Sequence, residues 1–407
     1  MNLTTVKEAL QIILNNSEDF GIEEVDFIKS VGRVLKEDIL ADRDFPPFNR
    51  VSMDGIAISY EAFNNGQRTF KIESVQAAGS PQLTLKNKEN CIEAMTGAML
   101  PNGCDVVVQY ELLNIENGEA TVDLETVRSF QNIHKKGLDR TIGDVLIEKN
   151  TIISSAEIGV LATVGKSIVK VAKQPKVMVV STGNELVEVT ETPAEHQIRR
   201  SNVYTLVSLL EKIHVKADTA HILDDKQVLE RKIGGFLNAY DVLIFSGAVS
   251  KGKFDFIPEV LDNLGVEKLF HKVKQRPGKP FWFGKKACTE HRRSDKTVFA
   301  FPGNPVSTFV SCLKYFTPWY QKSVGLNFDN KQQAVLSDDF FFKPGLTYFL
   351  QVKLSQKNGE LYATPVSGKG SGDLANLVDA DGFIELPDDR TNFNKGEVFP
   401  FIPYRTL

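Results

Sequence analysis

The 407-residue sequence predicts a multidomain fold of α/β plus β type, with a central doubly wound α/β domain, a mostly β insertion and a small C-terminal β-barrel. Three observations carry that expectation. Between about 175 and 325, short apolar runs ending in glycine-bearing loops alternate with helical periodicity, the pattern of strands joined by crossover helices. From 46 to 140 the apolar runs are short and extended in character, and Gly, Asn and Pro separate them. From 326 to 407, β-like runs at 348–354 and 360–364 flank Asn358-Gly359, a strong hairpin signal. Several domains also suit the length, since single cores rarely grow beyond roughly 250 to 300 residues. The remaining segments, 1–45 and 141–174, read as a discontinuous linking domain.

In chain order, Thr5 and Glu8 have capping-box spacing, and Val6, Leu10, Ile13 and Leu14 make the following helix amphipathic. That pattern differs from the uninterrupted apolar core of a secretion signal, and no apolar run approaches the roughly 20 residues of a membrane span. The expected compartment is the cytoplasm. Residues 146–153 read as a strand and 155–162 as a helix, and the N-terminal helix is expected to pack there. The run from Lys176 ends in Ser181-Thr-Gly183-Asn-Glu185. A helix then starts with Ser201 as its cap and places Val203, Leu206, Val207, Leu210 and Ile213 on one face. Residues 215–222 look extended and close on Leu223-Asp224-Asp225. Residues 242–245 are continuously apolar, as in a strand covered on both faces, and open into a loop running from Ser246 to Asp255 with a helix entering near Phe254. The run from Thr297 leads to Pro302-Gly303-Asn304, where a helix can start at Pro305.

Loops of this kind, at the carboxyl ends of a mostly parallel sheet, converge on one ligand crevice. Gly247 and Gly252 let the backbone turn tightly and approach a ligand, while backbone N–H groups with Lys251 and Lys253 suit a phosphate. Taken alone, the same segment is equally an ordinary strand-to-helix turn. Cysteines 91, 104, 288 and 312 form no C-x-x-C pair, and the six histidines form no H-x-x-x-H or H-E-x-x-H arrangement. A metal here should therefore be hard and oxygen-loving, which points to magnesium on Asp224, Asp255 and Glu185. The formal net charge of −4 argues against a general nucleic-acid binder.

Six motifs carry a resemblance that covers nearly the whole chain: FPPFNRVSMDGIA (45–57), TGAMLPNGCD (96–105), STGNEL (181–186), SGAVSKG (246–252), RPGKP (276–280) and PGNPVS (302–307). In this order they resemble the MoeA family of molybdopterin molybdenumtransferases, to which the C-terminal region of gephyrin is related. The resemblance implies that the α/β domain binds molybdopterin. It implies a magnesium-assisted reaction in which adenylylated molybdopterin and molybdate give molybdenum cofactor and AMP. It also implies a homodimer with a site shared between subunits, and transient contacts with the adenylyltransferase and with molybdoenzymes.

Carried onto this sequence, the resemblance assigns catalysis to Asp255, Glu185 and Asp224 around magnesium, and to Asp54, Thr96 and Asp139, which match functional aspartate and threonine residues of the family. Substrate contacts fall on Ser181, Gly183, Ser246, Gly247, Ser250, Gly252, Pro302, Gly303 and Asn304. Lys272 and Arg276 match a basic pair, and Lys279 adds a third cation suited to a dianion such as molybdate. Ser371, in SGKGSGD (367–373), resembles a family loop that reaches the substrate. Structural readings stay open: Asp54 and Thr96 as turn residues, Asp139 as a loop residue, Lys272 as a solvated strand charge, and Ser371 in a flexible glycine linker. Three positions depart from the family pattern: His134 stands where arginine is common, Asn184 where aspartate is, and Arg276 where lysine is. An imidazole makes a weaker or pH-dependent anion contact, which the adjacent Lys135 and Lys136 could offset, and a planar guanidinium holds an oxyanion differently from an ammonium. Two other functions compete. A gephyrin-like scaffold is disfavoured by the lack of a long linker and a second fused cofactor domain. A nucleotide pyrophosphatase resembling the competence-damage family leaves the motifs at 45–57 and 96–105 unexplained.

Overall fold

The computed structural model describes residues 3–247, 255–287, 294–326 and 332–405. The chain divides into two compact units, one formed by Met1–Lys36, Asn150–Ser154 and Ile168–Leu407, the other by Glu37–Lys149 and Ser155–Ser167.

The first unit is built on strands β1 (Val177–Thr182), β2 (Ala217–Ile222), β3 (Val242–Ser246), β4 (Glu267–His271), β5 (Trp282–Lys286) and β6 (Lys296–Phe301). They lie in the order β2, β1, β3, β6, β5, β4. The first four are parallel, and β5 and β4 continue the sheet antiparallel. Side chains alternate between two buried faces, so Val179, Ile244 and Phe299 enter one core while Val180, Phe245 and Val298 enter another. The first face is covered by the helices Val6–Asn15, Asn202–Glu211 and the run from Pro305 to Ser323; the second is covered by Lys226–Ala239 and Ile257–Asn263. This is the doubly wound arrangement the apolar runs predicted.

The capping box forms as expected, with Glu8 N–H donating to Thr5 Oγ1 (3.2 Å) and Thr5 N–H donating to Glu8 Oε2 (2.8 Å). The helix it starts packs against the α/β core, which corrects the expected docking on 141–174. Val6, Ala9 and Ile13 meet that aromatic-rich core, and Trp319 Nε1 and Lys322 Nζ donate to the carbonyls of Asn16 and Leu14 at the helix end, both at 2.9 Å. The flanking segments meet through an antiparallel ribbon of Ile22–Asp26 with Ile168–Ala172. Two further details differ. Ser201 occupies a cap position without a side-chain cap bond, and the helix after Asp255 begins at Ile257, the expected start Phe254 lying outside the described residues.

Beyond the sheet, the strands β7 (Gln333–Leu336), β8 (Thr347–Lys357), β9 (Glu360–Pro365), β10 (Gly382–Leu386) and β11 (Val398–Pro403) pair in the ring β8-β9-β7-β11-β10-β8, a closed five-strand barrel. Asn358 and Gly359 join β8 to β9 with φ of 52° and 84°, the positive values a type I′ turn requires. The barrel interior holds Leu350, Val352, Ile384 and Phe401.

The second unit contains a mixed six-stranded sheet, with Val106–Gln109, Gly55–Ile58, Asn90–Ala94, Thr69–Gln76, Glu119–Val122 and Leu113–Glu116 in that spatial order. Cys91, Cys104 and Cys312 are buried, unpaired thiols whose pKa burial pushes up to about 12, consistent with small core residues, and Cys288 lies outside the described residues. Gly55 is required by a close approach: a Cβ there would stand 1.9 Å from the Val108 carbonyl oxygen across the sheet. Gly55→Ala is therefore expected to cost more than about 2 kcal/mol, read as a lowered urea midpoint for this unit.

Candidate active site

The chain places β2 on one side of β1 and β3 on the other, so the strand order reverses between β1 and β3. Their carboxyl ends open there into a crevice of about 670 Å³, the location expected for a ligand in an open parallel sheet. Its lining includes Ser181, Gly183, Glu185, Asp224, Ser246, Gly247, Asp255, Pro302, Gly303 and Asn304. Ser250 and Gly252, assigned to the same loop, lie outside the described residues. Gly183 has φ of 137°, and a Cβ on it would stand 2.4 Å from Glu185 Oε2, so the carboxylate folds back over bare backbone. A Cβ on Gly303 would lie 3.4 Å from Gly247 Cα, which measures how closely the second and third loops approach.

Asn202 joins those two loops. Its Nδ2 donates to Ser246 Oγ (2.9 Å) and to the Gly303 carbonyl (2.7 Å). Sequence reasoning passed over it because it follows Ser201 at a helix start, and its partners lie 44 and 101 residues further along the chain. Asn304 Nδ2 donates to Ser371 Oγ (2.7 Å) and Val306 N–H to the Ser371 carbonyl (3.1 Å). The glycine-rich loop at 367–373 is thus bound to the crevice, and the flexible-linker reading does not describe it.

The crevice wall carries buried polar atoms with no hydrogen-bond partner among the described residues, Thr182 Oγ1, Arg200 Nε and Asp224 Oδ1, and His221 Nε2 behind Ser181 is another. Ser181 Oγ meets His221 Nδ1 at 3.1 Å, and the Arg200 guanidinium pairs with Glu188 at 2.6 Å. Burial, followed by the Arg200 charge, pushes the His221 imidazole below its usual value. Burial, followed by the Glu185 charge, holds the Asp224 carboxyl above the usual carboxylate value, although the Asn184 contact opposes this. Asn184, the departure from aspartate, accepts from Asp224 N–H through Oδ1 at 3.1 Å, so it serves as a support for the acid beside it. Among the described residues no three His, Cys, Asp or Glu side chains are grouped to hold a metal together. An orphaned buried carboxylate oxygen facing two further acids nevertheless fits a hard cation that keeps most of its ligands from water and phosphate, as magnesium does.

A second cavity of about 540 Å³ shares Pro280, Pro302 and Asn304 with the first. It is lined by Arg276, Lys279, Lys369 and Ser371, a basic set beside a crevice that carries Glu185, Asp224 and Asp255 together with Arg199 and Arg200. Lys272, half-buried with φ of 76°, lines neither cavity; its carbonyl accepts from Thr4 N–H at 3.3 Å.

Within the other unit, Thr96 donates to Asp54 Oδ1 from its backbone N–H (2.6 Å) and adds a hydroxyl contact. The backbone bond above all holds the exposed Asp54 carboxyl below its usual value, keeping it ionised. His134 Nε2 meets Asp139 Oδ1 at 2.9 Å. Of the neighbouring lysines, Lys136 pairs with Asp44 at 3.4 Å, and Lys135 lies 4.0 Å from the centre of the Phe130 ring.

A closed barrel, a mixed β unit and a doubly wound sheet with a crevice at its switch point define a multidomain protein of α/β plus β class. Residues 4–165 match the MoeA N-terminal region (domains I and II), 178–322 a probable molybdopterin binding domain, and 333–404 the MoeA C-terminal region (domain IV). The chain is 40% identical over 405 residues to the molybdopterin molybdenumtransferase of a Synechocystis species, covering 98% of this chain and 99% of that one. It is 31% identical over 415 residues to the molybdopterin molybdenumtransferase of Staphylococcus aureus, covering 98% and 96%. A crystal structure of the molybdopterin biosynthesis MoeA protein from Pyrococcus horikoshii superposes with a TM-score of 0.83 at 29% identity, covering 100% of both chains. The chain belongs to the MoeA family.

The folded protein binds the Asp224 proton more tightly than the unfolded chain. Stability therefore falls as pH rises from the unfolded value of 3.8 through the raised folded value, and the ionised acid carries that cost at pH 7. Asp224→Asn is expected to raise the thermal midpoint of the metal-free protein at pH 7 by roughly a degree or two, with no gain below pH 3.5, as read by calorimetry.

Proposed function

We propose that this chain is a molybdopterin molybdenumtransferase that takes adenylylated molybdopterin and molybdate to molybdenum cofactor and AMP with magnesium. The observation that carries this reading is the continuity of an acidic, glycine-lined crevice with a basic cavity through Pro280, Pro302 and Asn304. A pterin nucleotide linked by a pyrophosphate needs close backbone approach and a cation at its phosphates, and a tetrahedral dianion needs positive donors within reach.

The residues divide accordingly. Gly247 and Gly303 line the wall as bare backbone that the nucleotide can approach, Gly183 lets the Glu185 carboxylate fold back beside it, and Ser181, Ser246 and Asn304 provide polar contacts along the same wall. Asp224, with Glu185 and Asp255 in the same crevice, would hold magnesium. When bound, magnesium withdraws charge from the phosphates and orients the attacking oxygen. Arg276 and Lys279 receive the oxyanion, and Ser371 closes its side of the cavity. The reading also includes a homodimer, a cytoplasmic setting, transient contacts with the adenylyltransferase and molybdoenzymes, and functional roles for Asp54, Thr96, Asp139 and Lys272.

The test is AMP release from adenylylated molybdopterin by the purified protein with magnesium, with and without low molybdate. Molybdate-dependent release with active cofactor formed supports the reading; a folded protein that binds substrate and releases nothing removes it. Asp255→Asn should lower turnover at least a hundredfold while the thermal midpoint stays within a few degrees, and retained turnover would discard its assignment. Millimolar magnesium should raise the thermal midpoint of the wild type more than that of Asp224→Asn, a readout independent of turnover.

A further inference from the structure

The turn that carries Arg276 and Lys279 rests on a buried polar post. Gln275 is fully buried, and its Nε2 donates to the carbonyls of Pro277 (3.1 Å) and Gly278 (3.4 Å). Its Oε1 accepts from the hydroxyl of Tyr315, itself fully buried. Gly278 lies on this amide so closely, at φ of 93°, that a Cβ would stand 2.7 Å from Gln275 Nε2 and 3.1 Å from Ser311 Oγ. Pro277 and Gly278 are buried, whereas Arg276 and Lys279 on either side are exposed and line the basic cavity. The backbone adds two ties, Val273 N–H to the Lys279 carbonyl (2.9 Å) and the pairing of Gln275–Arg276 with the start of barrel strand β8.

Each part of the post departs from the cheapest packing. An amide and a phenol buried within an aromatic core cost desolvation that Leu and Phe would avoid; the Tyr315 ring lies 4.9 Å from that of Phe281. Tyr315 also occupies the π-helical turn Cys312–Phe316, inserted between Pro305–Ser311 and Thr317–Ser323. Such turns weaken local helix bonding and are frequent at functional sites. All of these features act on one turn.

We propose that Gln275 and Tyr315 are positioning residues that hold Arg276 and Lys279 as a fixed pair of donors for a tetrahedral oxyanion. The inference rests on the proposed reading of the basic cavity. Fixing the turn in advance spares the ordering of two long cationic side chains' backbone supports when the dianion arrives.

Tyr315→Phe keeps the ring and removes only the hydroxyl bonded to Gln275. Titration of the full-length protein with molybdate alone is expected to show about fivefold to tenfold weaker binding in this variant, the scale of one hydrogen bond. The KM for molybdate should rise to match, with kcat and the KM for adenylylated molybdopterin within about twofold. Gln275→Asn, which keeps the amide and shortens its reach, should show the same split if Tyr315→Phe folds poorly. Combining the two substitutions should cost less than the sum of the separate effects. Unchanged molybdate affinity in folded variants, or no molybdate binding by the wild type, overturns the proposal. Weakened binding in a protein that releases no AMP supports the positioning role while removing the proposed reaction.

Discussion

Burial of the strand Val242–Ser246 on both faces is the constraint from which the candidate site follows. All five residues are buried, so their backbone groups must be satisfied by the flanking strands Val177–Thr182 and Lys296–Phe301, and the strand cannot shift without exposing one core or the other. Its end is consequently a fixed point. The three loops that leave the neighbouring carboxyl ends at Gly183, Gly247 and Gly303 emerge together, and the Asn202 amide ties two of them. Precision at the crevice is inherited from sheet packing, to which these loop contacts add.

Charge is distributed with a similar economy of means. Three acids line the crevice at the switch point alongside Arg199 and Arg200, and among the described residues only cations, Arg276, Lys279 and Lys369, carry charge in the adjoining cavity at the barrel side. Asp224 is held where burial and Glu185 both oppose its ionisation, and its Oδ1 has no donor among the described residues. A carboxylate in that state lowers the stability of the protein alone and favours any cation that arrives, so the fold stores part of the cost of binding. The basic side follows another rule: Arg276 and Lys279 project from a turn whose own polar groups are bonded to the buried Gln275 amide.

The departures from the family pattern acquire physical meaning once their contacts are visible. Asn184 supports the Asp224 backbone, so exchanging a carboxylate for an amide removes a charge and retains a scaffold. His134 is engaged with Asp139, which makes the two one unit. Arg276 lies 5.9 Å from the centre of the Phe342 ring, a contact that suits a planar guanidinium better than an ammonium.

Much of the architecture was legible because it rests on local rules. Continuous apolar runs marked the doubly buried strands, Asn358-Gly359 marked the barrel hairpin through the positive φ it needs, and Thr5 with Glu8 marked the first helix. The acids and glycines at strand ends were legible for the same reason, since a parallel sheet sends its loops to one side. What the sequence alone determined was therefore the periodic elements, the loop chemistry and the family. Tertiary structure decided the rest: that the first helix packs on the α/β core, that Asn202 bridges two loops, that Ser371 reaches Asn304, and that Gln275 and Tyr315 stand behind the basic turn. Those contacts join residues 40 to 101 positions apart, or helices to cores far along the chain, and no local periodicity encodes which distant side chain will complete a buried polar group.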